Sequence, residues 1–185
     1  MKHIFVIFGP SGSGQDSVIE GLQKFLPIER VITTVSRDMR PGETQGHPYY
    51  FISATEFEEL IRTDALAEHL KKYTGIYYGV TKKELDRVLS GEKVGVWKVD
   101  FAGAITIKER FPQAIVIMIN ATLDIIEKRI RNRADLPEDE VQARLAHIRE
   151  WLPKSIYDYQ VENKEGKLDE TVAEVKAIIE KNLVA

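Results

Sequence analysis

Five β-branched or aromatic residues in a row, Ile4-Phe5-Val6-Ile7-Phe8, run directly into Gly9-Pro10-Ser11-Gly12-Ser13-Gly14, after which Val18, Ile19, Leu22 and Phe25-Leu26 recur at helical spacing. An apolar run without polar alternation marks a strand buried on both faces. Strand, glycine loop and helix in that order let successive backbone N–H groups and the positive end of a helix face one anion. The spacing Gly9-x-x-x-x-Gly14 therefore predicts a phosphate-binding loop formed by Gly9, Ser11, Gly12, Ser13, Gly14, Gln15, Asp16 and Ser17. Its last positions break the pattern G-x-x-x-x-G-K-[ST], because Gln15 and Asp16 stand where lysine and a hydroxyl residue belong, with Ser17 one place further on. The missing lysine is the point charge that normally reaches the β and γ phosphates. Gln15 offers two neutral donors instead, and losing one preorganised charged donor costs on the order of 3 kcal/mol of transition-state stabilisation. Asp16 and Ser17 supply oxygens of the kind that Mg²⁺ prefers.

The alternation returns further along. Residues 92–97 form a strand pattern that leads to a helix around 102–110, and 114–119 lead to a helix from Thr122, so the fold class is α/β with a parallel sheet. Residues 33–79 carry short polar and aromatic strands and are read as an inserted lobe. That leaves 1–32, 80–128 and 151–185 as the core, and 129–150, dense in arginine, as a helix–turn–helix lid. Ser53-Ala54-Thr55-Glu56 and Thr81-Lys82-Lys83-Glu84 carry the capping-box signature, Asp135 and Pro137 suit a helix start, and Val172, Val175, Ile178 and Ile179 give a closing helix its buried face.

A chain of 185 residues suits one domain of this kind. Lys+Arg at 26 against Asp+Glu at 29 leaves a net charge of −3, which excludes the broad basic surface of a nucleic-acid binder and makes any anion site local. With zero Cys there is no disulfide framework, thiolate metal site or cysteine nucleophile, and His3, His47, His69 and His147 lack metal-ligand spacing. The first apolar run is far too short for a signal-peptide core or a membrane span, so a cytoplasmic protein with no membrane partner is expected.

Beyond the loop, Ser36-Arg37-Asp38-Met39-Arg40-Pro41-Gly42-Glu43, Gly46-His47-Pro48-Tyr49-Tyr50-Phe51, Tyr77-Tyr78-Gly79, Asp100-Phe101-Ala102-Gly103-Ala104 and Tyr157-Asp158-Tyr159-Gln160-Val161-Glu162-Asn163 follow in one order. Together with the Arg-rich lid, this series resembles the guanylate kinases nearly end to end. The resemblance implies a P-loop kinase core with an inserted acceptor-binding lobe and a helical lid, and transfer of the ATP γ-phosphoryl group to GMP with Mg²⁺. It further implies that Arg37, Arg40, Tyr49 and Tyr78 hold the GMP phosphate, that Glu68 with Thr33 or Thr34 reads guanine, that Asp100 lies where the GMP and Mg²⁺ sites meet, and that Asn163 contacts adenine. These roles suit the residue types: guanidinium forks and phenols bind a dianionic phosphate, and a carboxylate accepts from the guanine N1–H and N2 amino edge.

Lys98 stands where the family usually has an acidic residue, two before Asp100. In an extended strand both side chains share a face, so Lys98 is expected to aim at the phosphates and replace the charge absent at Gln15; the alternative is a lysine lying along the strand end with its ammonium in water. Arg133, Arg144 and Arg149 are expected to close onto the ATP phosphates, while Arg129 and Arg131 pair with carboxylates on a surface helix. Trp97 and Trp151 read as packing residues. Two other functions fit parts of the chain. Ribose bisphosphate kinases have a similar loop with Asp and Ser after the lysine position, which would make the acceptor another small phosphorylated molecule such as ribose 1,5-bisphosphate. A silent binding module for phosphorylated or acidic peptides would fit Gln15.

Overall fold

A computed structural model describes residues 4–71, 74–133, 137–152 and 154–183 of the chain. The opening apolar run is β1 (Ile4–Phe8), with every residue buried. It sits in the middle of a five-stranded sheet with β2 (Ile28–Arg30), β7 (Val94–Lys98), β8 (Ile115–Asn120) and β9 (Tyr159–Glu162), in the order β2-β7-β1-β8-β9. All four pairings are parallel. Parallel neighbours need crossovers, and helices supply them on both faces.

The two-residue period of β1 divides the core. Val6 and Phe8 pack with Trp97, Ile107, Met118, Ile126 and Trp151, towards α4 (Phe101–Arg110), α5 (Leu123–Arg133) and α6 (Glu138–Trp151). Phe5 and Ile7 pack with Val18, Ile19, Val161, Val172 and Ile179, towards α1 (Gln15–Leu22) and α7 (Leu168–Leu183). Both tryptophans are core residues, as expected, and Trp151 stacks on Phe101 at 4.6 Å between centroids.

The inserted segment forms its own mixed sheet in the order β4-β3-β6-β5, from β3 (Thr34–Val35), β4 (Tyr50–Phe51), β5 (Leu66–Lys71) and β6 (Tyr77–Thr81), with α2 (Ala54–Arg62) beside it. It runs slightly past the expected limit at 79, because β6 continues to Thr81, which caps α3 (Lys82–Ser90). The Ser53 capping box is complete. The one at Thr81 is half made: the Thr81 hydroxyl accepts from Glu84 N, but the buried Glu84 carboxylate instead accepts from Ile32 N at 2.8 Å and from Arg87. That bond ties α3 to the point where the chain leaves the parallel sheet for the lobe. Pro137 precedes α6 as expected, while Asp135 lies outside the described residues. Among the described residues no helix is long and apolar enough to cross a membrane.

Candidate active site

The loop that leaves β1 is shaped by what presses on it. A Cβ at Gly9 would sit 2.0 Å from the Ile119 carbonyl of β8, and one at Gly14, where φ is +93°, would sit 2.3 Å from Asn163 Nδ2. Only glycine tolerates either position. Gly14 begins α1 without a side-chain cap, so the first-turn N–H groups are left for an anion. Two residues hold the loop from behind: Asn163 Nδ2 donates to the Ser13 carbonyl at 2.7 Å, and Arg129 Nη1 donates to the Gly12 carbonyl at 3.1 Å.

The unusual loop residues point away from one another. Gln15 Nε2 turns inward and donates to the Gly9 carbonyl. Beside it, the fully buried Ser13 hydroxyl has no partner among the described residues. Asp16 turns outward and receives two cations, Lys98 Nζ on Oδ2 at 2.5 Å and Arg30 Nη2 on Oδ1 at 3.2 Å. Burial opposes ionisation, but Lys98 and then Arg30 outweigh it and hold the Asp16 carboxyl below the ordinary aspartate range.

The lobe assembles a second polar group opposite the loop. The Arg37 guanidinium forks onto Glu43 with two bonds of 2.7 Å, and its Nε is buried without a partner among the described residues. Arg37, with the Arg40 backbone N–H, holds the Glu43 carboxyl at about 2. The same guanidinium lies 5.6 Å from the Tyr49 ring centre, and Tyr49 meets Tyr78 edge-on at 6.3 Å. Burial, then Tyr78 and Asp16, push the Tyr49 phenol upward, so the lobe tyrosines lie within electrostatic reach of the loop. Glu68 is buried because a bulge between Leu66 and Glu68 interrupts the alternation of β5 and brings three successive residues inward. Burial first, and then Asp100, raise the Glu68 carboxyl to about 7, with Arg110 opposing. Arg110 Nη1 also donates to the Ala67 carbonyl at 2.7 Å, fastening that strand to the end of α4.

The family description that matches this chain, over residues 1–182, is that of guanylate kinase. The chain belongs to the guanylate kinase family. A guanylate kinase of Gloeobacter violaceus is 36% identical over 182 residues, covering 96% of this chain and 85% of that protein. One from Fusobacterium nucleatum is 36% identical over 180 residues, covering 96% and 95%. The crystal structure of guanylate kinase from Anaplasma phagocytophilum shares the fold at a TM-score of 0.74 and 20% identity, covering all of this chain and 88% of that one. Guanylate kinases are nucleoside monophosphate kinases, so the chain is of an enzyme family of phosphotransferases.

Several residues stand elsewhere than expected of a guanylate kinase read from sequence. Asn163 is 3% exposed, with its amide nitrogen on the Ser13 carbonyl and its amide oxygen accepting from Thr171, so it braces the loop. Arg129 is not on an acidic surface pair but on the loop carbonyls, whereas Arg131 does pair with Glu127 and Glu138. The strand ends at Lys98, and Asp100 accepts from Gly103 N at 2.9 Å as the cap of α4. Thr34 is buried in the lobe sheet, and the Thr33 carbonyl accepts from Tyr50 N. Arg40 is exposed, as are Arg149 and Arg144, the last paired with Glu140 on α6 at 2.6 Å. The Arg133 side chain lies outside the described residues. Arg30 and Arg110 were not legible as site residues, because only the fold brings them to Asp16 and Glu68.

Metal fit can be judged from the oxygens present. Among the described residues no three His, Asp or Glu side chains gather as a self-sufficient site. Both Asp16 oxygens already face cations, and the other candidate oxygens, on Ser17 and Asp100, are exposed, Asp100 also capping α4. That set fits a Mg²⁺ carried mainly by nucleotide phosphates and water.

Proposed function

We propose that this chain transfers the γ-phosphoryl group of ATP to GMP, giving ADP and GDP, as a cytoplasmic enzyme. The observation that carries the reading is the lobe group: Arg37, Tyr49 and Tyr78 in mutual contact, with Glu68 buried on the neighbouring strand. An Arg37 Nε without a partner among the described residues and two phenols suit a phosphate monoester. Ionised Glu68 suits the two N–H donors on the edge of guanine, with Thr33 and Thr34 nearby. ATP would lie on the loop from Gly9 to Ser17, its phosphates on the open first turn of α1. The family works with a divalent metal; here Mg²⁺ would meet Ser17 and Asp100 and neutralise the charge that moves between the phosphates.

The chain's own residues do the rest by position and charge. Arg37, Arg40 and the tyrosines orient the acceptor oxygen in line, since phosphoryl transfer asks the protein for positioning and electrostatics. Closure of α5 and α6 would bring Arg133, Arg144 and Arg149 towards the ATP phosphates and exclude water. Arg144 must leave Glu140 to do so, a small cost for an exposed pair. The test is ADP production from ATP and Mg²⁺ with GMP, AMP, UMP or ribose 1,5-bisphosphate. Turnover with GMP alone is expected, and turnover with ribose 1,5-bisphosphate alone would overturn the acceptor. A silent binding module is the second reading, favoured by Gln15; GMP binding without any turnover would establish it.

A further inference from the structure

We propose that Lys98 is a catalytic cation of this enzyme, meeting the transferring phosphoryl group from β7 in place of a loop lysine, with Asp16 and Arg30 positioning it; the proposal rests on the phosphotransfer reading. Residue 15 contributes no charge and has its amide turned back onto the Gly9 carbonyl. Lys98 ends β7 in register with Ile7 on β1, the strand that feeds the loop, so its side chain starts beside the loop and ends over the first turn of α1.

An unpaired ammonium does not settle there, because the N-terminal end of a helix carries partial positive charge. Asp16 reverses that field. Arg30 occupies the other carboxylate oxygen, so two cations and one anion leave a net charge of +1 at the loop, the charge a loop lysine would bring. Of the three ammonium donors one is used by Asp16, and the Lys98 side chain is 29% exposed, open to an incoming phosphate. Asp16 also raises the Tyr49 phenol through space, so the pair lies within electrostatic reach of the acceptor group. A bond forms there from the GMP phosphate oxygen to the γ-phosphorus while the bond to the β–γ bridging oxygen breaks, and Lys98 stabilises the negative charge gathering on the ADP side.

The competing explanation is that Lys98 only neutralises Asp16. Four proteins separate the two: wild type, Lys98→Met, Lys98→Met/Asp16→Ser and Lys98→Met/Gln15→Lys. Lys98→Met is expected to lower kcat by about a hundredfold to a thousandfold, with KM for GMP and the melting temperature little changed. Removing Asp16 as well leaves it equally slow, whereas Gln15→Lys restores at least about tenfold by returning the charge through the loop. Recovery in Lys98→Met/Asp16→Ser, or kcat within about threefold of wild type in Lys98→Met, overturns the proposal. Calorimetric titration without metal supplies a second readout: the preference for ATP over AMP should fall at least about fivefold in Lys98→Met. If wild type turns over no acceptor, the phosphotransfer reading fails by itself, and the titration still decides whether Lys98 meets the polyphosphate.

Discussion

The lobe and the loop answer the same demand, holding phosphate, in different ways. In the lobe the groups that would hold it come from short motifs, Arg37 to Glu43 and Tyr49 to Phe51, and their neighbours in sequence are largely their neighbours in space. At the loop the backbone shape is kept while the charge comes from two other strands, Lys98 at the end of β7 and Arg30 at the end of β2. A site can thus keep its net charge while the residue carrying it changes address. What must be preserved is the field at the phosphates and the glycines that let them approach.

That contrast breaks most easily from the lobe side. Arg37→Ala should lower kcat/KM for GMP by about a thousandfold, on the order of 4 kcal/mol, while ATP binding by titration stays within about twofold. An equal loss of ATP binding would show that the two regions do not act separately. Glu68→Gln comes next, with a loss of about a hundredfold for GMP. In wild type the carboxyl is near 7 in the empty site and must be ionised to accept from guanine, so KM for GMP should rise as pH falls below 7 and level off above it. The variant should give a flat profile. Because the folded-state value lies above the unfolded 4.5, this carboxyl favours the fold below that pH and loses its contribution as pH rises through 7. Glu68→Gln should therefore raise the melting temperature at pH 8, by up to about 3 kcal/mol of stability, and leave it unchanged at pH 4.

Asn163→Ala tests the loop side. It removes the shorter of two donors to the Ser13 carbonyl and leaves only Arg129 Nη1 at 3.4 Å, at a cost of about 1 kcal/mol, which lowers the melting temperature by a few degrees and raises KM for ATP but not for GMP. Arg131→Ala should be the smallest effect, under about 1 kcal/mol with turnover unchanged, because its carboxylate partners are exposed. A larger loss of turnover would tie that surface pair to the movement of α5 and α6.

Reading the chain unaided goes furthest where physics is local. The buried first strand, the glycine loop, the Ser53 cap and the α/β alternation all follow from neighbouring residues, and all are present in the fold. Arg37, Tyr49 and Tyr78, which the structure brings into contact, were named from short motifs for the same reason. The bonds of Asn163 and Arg129 to the loop were not legible, because their partners lie 150 and 117 residues away along the chain, and no spacing rule spans such distances. Lys98 was legible as a charge at the strand end, but its partner Asp16 and the arginine from β2 that shares that carboxylate were not. The Thr81 cap was half right because a buried carboxylate found a backbone donor at Ile32 that only the hinge between the sheets could offer.

The braces behind the loop also bear on the order in which the molecule is made. The strand and glycines that shape the loop are made before the amide that pins Ser13, which follows the last strand of the sheet. The loop therefore stays unbraced at Ser13 until β9 has been made, and its final shape emerges together with the closing of the sheet.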